Sequence, residues 1–123
     1  MPSAIDTEQF LRDNFKSVWS LELLLYLARE PDRSFLPGEL VEVLRASHGI
    51  VEKSVAALIA AGLIVLEDAS GVRYAPASPD LRDLVTQVRD EYGSRPDAVR
   101  RVIVSGAASG ASAFADAFRL RKD

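Results

Sequence analysis

Apolar residues recur along this chain at spacings that change several times, and each change predicts an element. Asp6-Thr7-Glu8-Gln9 carries an N-cap residue with glutamine three positions on. Phe10, Leu11, Asn14, Phe15 and Val18 then share one stripe, so a first helix is expected to start near Asp6. From Ser17 the stripe widens through Val18, Trp19, Leu21, Leu23, Leu24, Leu25, Tyr26 and Leu27. That predicts a continuation that is apolar nearly all round, the buried spine of the domain, with Trp19 and Tyr26 in its core and Pro31 ending it. Asp32-Arg33-Ser34 connect, and Phe35 anchors the next element. Pro37 suits the first turn of a short helix with Leu40, Val41 and Leu44 facing inward and Glu39, Glu42 and Arg45 left for solvent.

Ser47 is a good N-cap for a longer helix in which Val51, Val55, Leu58 and Ile59 share the inward face, and Gly62 ends it where a positive φ is wanted. Leu63 to Asp68 and Val72 to Ala75 read as two strands around Ala69-Ser70-Gly71, with Gly71 as the turn glycine and Arg73 pointing outward. After Pro76 and Pro79 a helix is expected from Asp80 to Tyr92. Gly93-Ser94-Arg95-Pro96 breaks it, and Pro96 begins another carrying Val99, Val102 and Ile103. Gly106 and Gly110 predict a kink or loop before a last helix, on which Phe114, Phe118 and Leu120 form an apolar stripe expected to pair two copies into a homodimer.

The fold class that follows is mainly α with a small β-hairpin. Two helices, a Ser-capped third helix, a hairpin and flanking helices are the order found, and the run from Ser47 through Val51, Val55 and Leu58 to Ala61-Gly62-Leu63-Ile64 is its most specific part. Over residues 15–76 this resembles a winged helix-turn-helix domain, and in particular the MarR-like bacterial transcription regulators. The resemblance implies a winged helix-turn-helix domain over residues 1–92, with its core at 15–76. Residues 93–123 would be a C-terminal helical extension within the same compact unit, serving dimerisation. It further implies that the helix after Ser47 is a recognition helix, that the hairpin is a wing, and that the function is regulatory binding of duplex DNA by a dimer.

Charge qualifies that expectation. The chain of 123 residues has a net charge of −3, but residues 1–92 hold nine Lys and Arg against fifteen Asp and Glu, while residues 93–123 hold six against three. Residues 36–75, the would-be reading module, carry Arg45, Lys53 and Arg73 against Glu39, Glu42, Glu52, Glu67 and Asp68. With Val51, Val55, Leu58 and Ile59 inward, the outward face offers His48, Gly49, Glu52, Lys53, Ala56, Ala57 and Ala60. That face has one cation and no Arg, Asn or Gln to read base edges. The expected DNA contacts are Arg45, Ser47, His48, Glu52, Lys53 and Arg73, working mainly on phosphates with the basic tail at Arg119, Arg121 and Lys122. The alternative is a winged-helix module that docks a protein partner without sequence-specific DNA binding. Its small face of Gly49, Ala56, Ala57 and Ala60 would permit close approach, although alanines on an exposed helix are also simply good helix formers.

Several chemistries are absent by composition. With no cysteine, thiolate zinc sites, disulfides and cysteine nucleophiles are excluded, and His48, the single histidine, has no second imidazole to complete a metal site or a relay. Asp80 with Asp83 and Asp90 with Glu91 read as capping and solvation rather than acid–base pairs. The run from Gly106 to Gly110 lacks the lysine and spacing of a phosphate loop. No enzyme activity, cofactor or metal is expected. The longest apolar stretches fall well short of the roughly 18–20 residues of a membrane span. Acidic residues stand where a signal peptide would be positive, so no membrane association and a cytoplasmic location are the expectation.

Overall fold

In the computed structural model, which describes residues 4–68 and 71–105, seven named elements follow one another as α1 (Ala4–Asn14), α2 (Val18–Ala28), α3 (Pro37–Leu44), α4 (His48–Ala60), β1 (Ile64–Leu66), β2 (Val72–Tyr74) and α5 (Pro79–Ser94). Residues 96–105 are again helical. The molecule is therefore mainly helical, with one small antiparallel hairpin.

The apolar stripe expected to run unbroken from Phe10 into the spine is instead interrupted at residues 15–17. Ser17 takes extended backbone, and its hydroxyl oxygen accepts from the Ser20 amide at 3.3 Å, starting α2 afresh. Phe15 sits in the break, fully buried, with its ring edge-on to Phe10 at 5.6 Å. The pattern reads as continuous because the residues on both sides of the break are apolar and meet the same core. Asp6 consequently lies inside the first turn of α1, which begins at Ala4, and is not its cap.

α2 is the spine: Leu21, Leu23, Leu24 and Leu27 are buried, as is Ser20. Trp19, expected in the core, is 38% exposed, while Tyr26 is half-buried with its ring against Phe35 at 5.2 Å. α4 lies mainly against α2 and α3. Its inward face is Val51, Ser54 and Leu58, with Val55 at the margin, and Ile59 turns outward at 39% exposure. The face is thus rotated from the one the apolar residues alone suggest. Positions 51, 54 and 58 follow the helical repeat, and the small Ser54 occupies the buried position that a choice by hydrophobicity gives to Ile59.

Gly62 adopts φ +76°, the left-handed conformation expected of it, and turns the chain from α4 into the hairpin. β1 and β2 pair with Ile64 opposite Tyr74, Val65 opposite Arg73 and Leu66 opposite Val72. On its other side β2 is bridged by Phe35: the Phe35 amide donates to the Val72 carbonyl, and the Val72 amide to the Phe35 carbonyl, both at 2.8 Å. At Gly71 a Cβ would run into the Ser34 hydroxyl, just before that bridge, so one of the two would have to shift.

α5 opens on Ser78, whose hydroxyl accepts from the Leu81 amide at 3.2 Å, and buries Val85 and Val88. Near its end the Tyr92 hydroxyl donates to Glu22 of α2 at 2.9 Å. Residues 96–105 add Val99 and Ile103 to the same core, so the chain up to residue 105 shares one hydrophobic interior. No helix among the described residues is long and apolar enough to cross a membrane.

Candidate nucleic-acid interface

The turn between α3 and α4 is built from local rules. Pro37 opens α3, and the Glu39 carboxylate accepts from the Leu36 amide at 3.1 Å while also pairing with Arg33 at 2.7 Å. At the other end Arg45 takes left-handed backbone, φ 53° and ψ 40°, and its amide donates to the Val41 carbonyl. The Ala46 amide reaches the same carbonyl at 3.3 Å, so the chain reverses within three residues. Ser47 then caps α4 as expected: its Oγ accepts from the Ile50 amide at 3.1 Å, and its carbonyl from the Val51 amide. That leaves the hydroxyl proton of Ser47 free to donate outward, next to the amides of the first turn of α4.

Arg45, Ser47, His48, Gly49, Glu52 and Lys53 are all solvent-exposed and follow one another around this turn and the start of α4. Neither Arg45 nor Lys53 has an ion-pair partner among the described residues, so both can meet an external anion without breaking an internal contact. Glu52 adds a carboxylate beside Lys53 and opposes a phosphate there. The outward face of α4 continues through Ala56 and Ala57 to Ile59 and Ala60, and Ile59 is its one large apolar residue.

Arg73 departs from the expectation of a free cation on the hairpin. Its Nε bonds Glu67 Oε2 at 3.1 Å, and the side chain is only 32% exposed. The pairing follows from the register: Val65 lies opposite Arg73, so Glu67, two residues further along the partner strand, comes within reach of a long side chain. Instead of projecting alone, Arg73 lines a groove with Arg82 and Arg89 of α5. The sequence reading passes over those two arginines, although they lie seven apart and hence on one face of a helix, which is the available signal. Ala69 and Ser70, expected at the hairpin tip, the dimer stripe Phe114, Phe118 and Leu120, and the basic tail at Arg119, Arg121 and Lys122 lie outside the described residues.

Four exposed apolar side chains surround this region in sequence: Leu36 before α3, Val43 on α3, Ile59 on α4 and Leu66 on β1, the last 62% exposed. No family model matches the chain, and neither a curated protein nor a solved structure matches it.

Proposed function

We propose that the chain is a winged helix-turn-helix protein that binds duplex DNA as a dimer and regulates transcription, with α4 as its recognition helix and the β1–β2 hairpin as its wing. The observation that carries this reading is the Phe35 bridge. A single extended residue between α2 and α3 pairs with the far strand of the hairpin, so helix, bridge, helix, tight turn, helix and hairpin form one continuous arrangement. The second support is the pair of cations, Arg45 and Lys53, that have no ion-pair partner among the described residues and flank the Ser47 cap at the start of α4, where a recognition helix meets DNA.

Affinity on this reading comes from phosphates, through Arg45, Lys53, the Ser47 hydroxyl and the amides of the first turn of α4. The face carries no amide or guanidinium group placed along α4 to discriminate bases. Arg73 contributes less than the sequence suggests because Glu67 already balances it. The test is a salt titration of binding to a genomic and a random duplex. Lys53→Ala should weaken both by similar factors and flatten the slope of log affinity against log salt by about 0.9 for each phosphate that is no longer neutralised. If the wild-type protein binds neither duplex at ~50 mM salt, where phosphate contacts are strongest, the reading fails.

A protein-docking module is the second reading, and the outward turn of Ile59 together with exposed Leu36, Val43 and Leu66 favours it. Absence of duplex binding combined with an apolar dye taken up by the native protein and released by Ile59→Lys would support that reading.

A further inference from the structure

Arg73, Arg82 and Arg89 come together on the walls of a groove of about 440 Å³ bounded by the end of α2, β2 and α5. Two of the three, Arg82 and Arg89, stand two helical turns apart on one face of α5, and Arg73 enters from the strand opposite. Their commitments elsewhere are light. Arg82 has no ion pair among the described residues, and Arg89 meets Asp90 at only 3.6 Å, whereas Arg73 is held by Glu67 at 3.1 Å. Asp32 is the one carboxylate among the described residues of the lining, and with Arg73 balanced by Glu67 it is Arg82 and Arg89 that make the groove positive within an acidic chain.

The remaining lining gives the groove its character. Tyr74 forms a largely buried part of the wall, Thr86 adds a hydroxyl, and Pro31, Pro76 and Val85 add apolar surface. Burial raises the Tyr74 phenol above its ordinary value, and the charges of Arg82 and Arg89 act against that rise. A guanidinium fork matches two oxygens of a phosphate, and two forks from one helix face can hold one phosphate from both sides. The volume of the groove falls within the usual range for small-molecule sites.

We propose that this groove binds a small phosphate monoester, with Arg82 and Arg89 holding the phosphate and Asp32 accepting from a hydroxyl on the body of the molecule. This assignment does not rest on the DNA-binding reading.

The experiment follows the arginine side-chain and Thr86 resonances of the whole chain by NMR during separate titrations with ribose 5-phosphate, ribose, inorganic phosphate and a short DNA duplex. Saturable shifts with ribose 5-phosphate, displacement by inorganic phosphate and no response to ribose are expected. The double variant Arg82→Ala/Arg89→Ala should bind ribose 5-phosphate about 100-fold more weakly, because two charge-assisted hydrogen-bonding groups are removed. Both arginines are exposed, and an unchanged melting curve will show that the variant is folded. No saturable shift with either phosphate, or equal binding by the double variant, overturns the proposal. So does a duplex that moves these resonances when the small phosphates do not, because the arginines then serve the nucleic-acid backbone.

Discussion

Replacing Arg45 with glycine should make the protein more stable and a poorer DNA binder at once. Arg45 sits at φ 53° and ψ 40°, the only non-glycine residue at positive φ among those described. Left-handed backbone costs an L-residue with a Cβ about 1–2 kcal/mol. Glycine escapes that strain but loses about 0.5–1 kcal/mol more chain entropy on folding, which leaves a net stabilisation of about 0.5–1 kcal/mol. Nothing offsets it, because the side chain is exposed and without an ion pair among the described residues. For a domain of this size the melting temperature should rise by roughly 2–4 °C, read by far-ultraviolet circular dichroism. Arg45→Ala, which keeps the strain and removes the charge, should show no such rise. Both variants should weaken duplex binding equally, with a salt slope lower by about 0.9 per phosphate contact. If Arg45→Gly melts below wild type, the strain argument is wrong. If it melts higher yet binds duplex as wild type does, the strain is real but Arg45 is no DNA contact.

Gly71→Ala should destabilise by about 1–3 kcal/mol through crowding against the Ser34 hydroxyl, and Ser34→Gly in the same chain should restore most of that stability, which denaturant unfolding of the two variants will measure. Ser47→Ala should lower stability by about 1 kcal/mol by removing the cap of α4, readable as a lower urea midpoint with an unchanged slope. Tyr92 is raised above its ordinary value by burial, then by its hydrogen bond and charge interaction with Glu22. Its contribution is therefore complete below the unfolded tyrosine value of about 10 and declines as pH rises through the folded one. Tyr92→Phe should be less stable than wild type at neutral pH by about 1 kcal/mol and should fall less steeply in alkali, as urea midpoints across that range will show.

Features set by a few neighbouring residues are readable from the sequence. Ser47 caps α4, Gly62 takes positive φ, and the strand residues 64–66 and 72–74 fall inside the predicted runs, because a cap, a left-handed turn and a hairpin are each decided locally. Features decided by what lies across the core are not. The break at residues 15–17 is hidden because Phe15 is as apolar as the helices on either side, and only Ser17 marks a cap. The phase of α4 comes out wrong when Ile59 outranks Ser54, because it is Ser54 that is buried and Ile59 that is exposed, an order hydrophobicity alone does not give. Size argues for Trp19 in the core, yet its place on α2 leaves it partly in solvent. At the candidate site, Arg45, Ser47, His48, Glu52 and Lys53 are near neighbours in sequence and so are legible together. The Arg73–Glu67 pair and the groove with Arg82 and Arg89 depend on strand register and on where α5 crosses, which no local pattern encodes.

The Phe35 bridge also sets the order in which the protein can fold. Its two hydrogen bonds to Val72 close a loop that contains α3, α4 and β1, so the chain must give up the freedom of that whole segment before the bridge returns anything. The turn at Arg45 and the pairing of β1 with β2 join near neighbours and can form early, in microseconds. The bridge is one of several long-range contacts that join those local pieces, with the packing of α2 on α4 and of α1 on α5, and the loop it closes makes it expected to form after them. Weakening it at Phe35, which is fully buried and also carries the Tyr26 ring contact, would then chiefly hasten unfolding and leave the rate of folding almost untouched.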